Sequence, residues 1–221
     1  MKRMIPVFIA VLMLFSGCAA KIEENPNTQS GSAVISTEAT HSEVPRILSF
    51  HSVEAYNELL SAVDLNEEGL QAYLYSKNYD MNGITTRDDI LGLSKIMASV
   101  PFPDCEMGEL EIFEINMDLY TVFLRYRTNA GNTLQFRISL NRQSAKEDMS
   151  AAIHAAGTAA TELAAKNMES LYYTGVSQRA AAALTYAANV DGYYVMIEVF
   201  DASRESIEQN IQAIAFGSMG K

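Results

Sequence analysis

Apolar residues recur about every 3.6 positions from Ser52 to Val100 and every second position from Glu109 to Leu140, so the chain predicts helices followed by a sheet. Ser52 can cap a helix with Val53, Tyr56, Leu59, Leu60 and Val63 on one face. Asn66 can cap a second, with Glu67 and Glu68 in its positive first turn and Leu70, Tyr73 and Leu74 turned inward. Thr86 and Asp89 have capping-box spacing before Ile90, Leu93, Ile96, Met97 and Val100, and Pro101 and Pro103 stop that helix. The segment Pro101-Phe102-Pro103-Asp104-Cys105-Glu106 reads as a loop.

The strand pattern places Leu110, Ile112, Tyr120, Val122, Leu124 and Tyr126 opposite Glu109, Glu111, Thr121, Phe123, Arg125 and Arg127. Leu134, Phe136, Ile138 and Leu140 alternate in the same way with Gln135, Arg137 and Ser139, after the turn residues Asn129 to Asn132. This is an antiparallel meander with one polar face. Ser144 and Glu147 form a capping box for a helix carrying Met149, Ile153 and Ala156; residues 157–170 fit helix and strand equally. Leu171-Tyr172-Tyr173 and Ala183 to Ala188 read as strands, and Asp191-Gly192 as a hairpin turn into Tyr193 to Phe200. A last helix is capped near Ser203 and carries Ile207, Ile211 and Ile214. The expected architecture is α+β: three short N-terminal helices, then an antiparallel sheet with an inserted helix and a C-terminal helix, in one domain over residues 45–221.

Ahead of that domain, Met1-Lys2-Arg3 opens into the apolar run Met4 to Phe15, followed by Ser16, Gly17 and Cys18. This is the layout of an export signal, and the run falls short of the roughly 20 apolar residues of a membrane span. Phe15-Ser16-Gly17-Cys18 resembles the lipobox of bacterial lipoproteins, with Phe15 where leucine is usual. The resemblance implies that Cys18 receives a diacylglyceryl group and that residues 1–17 are removed. Since Ala19 is not the aspartate of inner-membrane retention, it also implies the outer membrane in a two-membrane host and the outer face of the cell membrane in a one-membrane host. Residues 18–44, rich in Asn, Thr, Ser, Glu and Pro, read as a flexible tether. The segment from Asp191 through the helix after Ser203 is similar to the closing strand and helix of small extracytoplasmic domains of unknown function in bacterial envelope proteins.

Removing Lys2 and Arg3 from the 16 basic residues leaves 14 against 27 acids, a net charge of −13. Nucleic acid is a poor partner for such a surface, because that affinity comes largely from Lys and Arg on phosphates. With Cys18 lipidated, Cys105 is the one thiol left and no internal disulfide can form. Stability must come from buried apolar area.

Catalytic patterns are weak. Gly175-Val176-Ser177-Gln178-Arg179 begins like a nucleophile elbow but has Arg179 in place of the second glycine. Ser218-Met219-Gly220-Lys221 has S-x-x-K spacing with no chain left to complete such a site. His154 reads as an ordinary helix residue, His51 has no evident partner, and His41 lies in the tether. Cys105 sits beside acids that disfavour its thiolate. Asp80-Met81-Asn82-Gly83 places glycine too early for an EF-hand. The pairs Glu67/Glu68 and Asp88/Asp89 suit helix starts, and Glu109/Glu111 the outer side of a strand. No cofactor or metal is expected.

The remaining feature is a polar sheet face on which Arg125, Arg127 and Arg137 stand with one tyrosine from each adjacent pair, Tyr172 and Tyr194. Arginine and tyrosine together suit recognition of a polar partner. The expectation is a non-catalytic binding or interaction module that takes an envelope protein, peptide or wall component. A hydrolase acting on cell-wall material is the alternative. Cys18→Ser is expected to abolish labelling by palmitate and to leave the precursor uncleaved before residue 18, as read by intact mass. Retained labelling would remove the lipid anchor from consideration.

Overall fold

Four of the predicted helix starts are caps in the computed structural model, which describes residues 47–77, 86–104, 108–177 and 182–219. Ser52 Oγ accepts from the Ala55 amide at 3.2 Å and opens α1 (Val53–Ser61). Asn66 Oδ1 accepts from Gly69 at 2.8 Å and opens α2 (Glu67–Ser76). Thr86 and Asp89 complete a reciprocal capping box, at 3.2 and 3.1 Å, ahead of α3 (Arg87–Met97). Each cap satisfies amides that the helix itself cannot pair. Ser144 departs from expectation: it takes helical dihedrals and makes no cap, and its hydroxyl donates to Asn141 O and Asp148 Oδ2 instead. α4 (Ala145–Ala156) starts there all the same. Cys18 and the signal and tether, with His41, Asp80–Gly83 and Cys105, lie outside the described residues.

The helices do not come first. β1 (Ile47–Phe50) precedes α1 and pairs antiparallel with β3 (Gly108–Asn116), Phe50 opposite Phe113. Four residues are too few to show alternation in sequence. β4 (Thr121–Thr128) and β5 (Thr133–Ser139) continue the predicted meander. After α4 the undecided stretch becomes a 3-10 turn (Gly157–Ala159) and a short strand, β6 (Thr161–Leu163). β7 (Ser170–Ser177), β8 (Ala183–Val190) and β9 (Tyr193–Phe200) follow. The resulting eight-stranded antiparallel sheet has the order β1-β3-β4-β5-β9-β8-β7-β6. Asp191 and Gly192, with φ of 50° and 77°, form the tight turn between β8 and β9.

Two strands lie outside the sheet. β2 (Pro101–Asp104), expected as loop, pairs with β10 (Ala215–Ser218), which follows the capped helix α5 (Arg204–Ala213). Prolines cannot donate to a ladder, and a two-stranded ribbon tolerates them because each strand has a free edge.

One sheet face is fully dressed. Phe113, Ile115, Val122, Leu124, Phe136, Ile138, Val195 and Ile197 are buried there against Tyr56 and Leu59 of α1, Leu70 and Leu74 of α2, Leu93 and Met97 of α3, and Ile207 and Ile211 of α5. Phe113 is its hub: it is completely buried, and the rings of Phe50, Tyr56 and Phe102 lie 5.1, 5.6 and 5.7 Å from its own. Two expectations change at the strand ends. The register shifts between Leu110 and Ile112, so Ile112 moves to the face opposite Phe113. Tyr120, with φ of 48°, stands in the turn before β4 and is 55% exposed. A bulge adds one residue, and one residue reverses every side chain beyond it.

Truncating the hub tests this account. Phe113→Ala should cost about 3–5 kcal/mol in denaturant unfolding. Leu119→Ala, at a position 70% exposed, should stay within about 0.5 kcal/mol of the parent.

Candidate functional site

The second sheet face is covered by one helix, α4, over β7, β8 and β9. A helix can lie close to a sheet where it presents small side chains. Ala145 and Met149 of α4 are buried, as are Ala183 and Ala187 of β8. Over β1, β3, β4 and β5 no described helix lies on this side, so half of the face is open.

Two side-chain rows cross it in register. The first runs Ile112, Arg125, Gln135, Glu198 and Thr185 from β3 to β8. The second runs Glu114, Phe123, Arg137, Met196, Ala187 and Tyr172 from β3 to β7. Arg125 stacks near Phe123, 5.8 Å from its ring centre, and directs Nε and Nη2 to the Gln135 side-chain oxygen, each at 3.0 Å, with the amide in its hydrogen-bonding orientation. Arg137 is exposed directly opposite Phe123. Arg127 lies at the sheet end, held by Glu111 at 3.2 Å and donating to Gly131 O at 3.3 Å. Arg125, Arg137 and Tyr194 therefore share one region. Tyr172 stands three strands from Arg137, roughly 14 Å at ordinary strand spacing, with the α4 footprint between. Burial raises its pKa, and Glu162, its partner in the β6–β7 ladder, pushes the same way.

Tyr194 links the open half to α4. Burial pushes its pKa up, Asp148 of α4 pushes the same way, and Arg137 opposes both by stabilising the phenolate.

Beside α4 a cleft of about 270 Å³ is lined by Ala152, Ala155, Thr174, Thr185, Tyr194 and Glu198. Thr174 is the extra residue of a second bulge, where Gly175 takes φ of 120°. Glu198 is 7% exposed and forms no ion pair among the described residues. Reasoning from sequence passed over it, although a lone acid within the apolar strand Tyr193 to Phe200 is a usable signal.

The catalytic candidates are brought together only in part: Ser218 and His51 line one larger cleft of about 650 Å³ with Asp104. Ser52, which also lines this cleft, is engaged as the α1 cap. Gly175 and Ser177 lie along β7, not at a strand-to-helix elbow. His154 is exposed on α4. Among the described residues no three of His, Cys, Asp and Glu group to hold a metal, and no helix is long and apolar enough to cross a membrane. No protein-family model matches the chain, and no curated protein or solved structure is similar to it.

The Tyr194 arrangement makes a signed prediction. Asp148→Asn should lower the Tyr194 pKa and Arg137→Ala should raise it, each followed through the tyrosine 13Cζ shift during alkaline titration. Shifts of the opposite sign would mean that neither side chain faces the ring.

Proposed function

We infer that this chain is an exported lipoprotein, held at the cell membrane or outer membrane by lipid on Cys18. Its domain is a non-catalytic binding module of the cell envelope that docks an acidic protein or peptide on the open half of the sheet. The observation that carries this reading is the composition of that half. Phe123 and Ile112 are half-buried there, flanked by Arg125 and Arg137, on a chain whose net charge is strongly negative. An apolar centre rimmed by arginine is the usual anatomy of a recognition surface.

Charge also narrows the partner. The domain's overall negative field works against a long polyanion such as duplex nucleic acid, whereas a short acidic segment meets the arginines without meeting the rest. An anionic wall polymer is the competing occupant. Ser218, His51 and Asp104 share one cleft, but among the described residues no hydrogen bond joins them as nucleophile, base and orienting acid.

A photo-crosslinking residue at Phe123 of the full-length chain, in its native envelope, tests the reading. Crosslinks to a defined protein are expected, with yield at least 10-fold lower in Arg125→Ala/Arg137→Ala and little changed in Arg127→Ala, whose charge Glu111 already neutralises. Tyr75, 90% exposed on α2, is the control position. Equal yields from Tyr75, or no loss in the double variant, would take the sheet face out of account, and crosslinks to polymer would replace a protein partner with a wall component.

A further inference from the structure

We propose that the cleft between α4 and the sheet is a second binding site, for a small aliphatic primary ammonium compound. Its floor is Glu198, a residue more than nine-tenths buried that lines the cleft and has no ion pair among the described residues. A carboxylate that lines a cleft with no cation against it attracts positive charge there.

The hydroxyls beside Glu198 point to the same chemistry. Thr185 stands directly opposite Glu198 in the β8–β9 ladder. Its Oγ1 donates to Gly175 O at 3.1 Å, and Thr174 Oγ1 donates to Thr185, 3.0 Å from Oγ1 and 3.1 Å from O. Both hydroxyl protons are thereby committed within the protein, leaving lone pairs for a ligand. The bulge at Thr174 brings the second hydroxyl into this group. Carboxylate and hydroxyl lone pairs form a set of acceptors, and a primary ammonium, with three N–H donors, complements it.

The walls define the rest of the ligand. Ala152, Ala155 and Ala156 give the cleft an apolar wall beside Met196, suited to a short hydrocarbon chain. The volume, about 270 Å³, falls just below the usual range for drug-sized ligands. One carboxylate is too few for a calcium or magnesium cage, and one tyrosine, Tyr194, is no cage for a quaternary ammonium. This site does not depend on partner docking at Arg125 and Arg137.

The test follows the 13C-labelled methyls of alanine and threonine in the full chain, held in detergent, during titration with n-butylamine at neutral pH. Saturable shifts are expected at Ala152, Ala155, Ala156, Thr174 and Thr185. Affinity should fall at least 10-fold in Glu198→Gln, which is isosteric, and in Ala152→Leu, which fills the cleft, and it should persist in Arg125→Ala/Arg137→Ala. Failure to saturate, equal affinity in Glu198→Gln, equal binding of n-butanol, the same shifts from magnesium chloride alone, or loss in the double arginine variant would each overturn the proposal.

Discussion

The eight-stranded sheet has two faces and the chain supplies enough helix to bury one of them. Everything else in the molecule follows from how that helix is distributed. α1, α2, α3 and α5 crowd onto the side of Phe113 and Phe136, where Phe102 and Phe216 of the β2–β10 ribbon also pack against those rings. α4 alone goes to the other side. Strand alternation makes the division strict, because a residue facing one layer cannot reach the other. The open half is the part of the second face that one three-turn helix is too narrow to cover.

That constraint explains which parts of the fold were legible in sequence. Alternation in β4 and β5 is local and strong, so Val122 to Tyr126 and Leu134 to Ile138 were read on the correct face, as were the caps at Ser52, Asn66, Thr86 and Ser203. Local signals also mark Asp191-Gly192, where both residues need positive φ. What escaped was set by distant partners. β1 is four residues whose strand character comes from β3, about sixty residues on, and β2 and β10 exist only by pairing with each other across the domain. Ser144 had the right spacing for a capping box, but Asp148 one turn on offers its hydroxyl a charged acceptor at 2.8 Å, and that bond wins.

The site was partly legible for the same reason. Alternation put Arg125, Arg127 and Arg137 on one face. It could not say that α4 would lie across β7 to β9 and part Tyr172 from them, because helix placement over a sheet depends on which surface is smooth enough to receive it. Ala183 and Ala187 on β8, with the alanines of α4, are that surface. Nor could it say that Glu111 would be the bulged residue whose carboxylate occupies Arg127.

Arg125 invites the question of why it does not neutralise Glu198, since both stand in the same row. The register gives the answer: Gln135 stands between them, so the two charges are two strands apart, about 10 Å at ordinary spacing. At an effective dielectric constant near 20 that attraction is worth about 1.7 kcal/mol. Arg125 is further engaged by Gln135 and Phe123, which hold its guanidinium on the open side. A cation seated in the cleft at about 4 Å gains about 4 kcal/mol at the same dielectric constant, more than twice the pull of Arg125. Distance therefore divides the row, with arginine presented on the open half and glutamate lining the cleft beside α4.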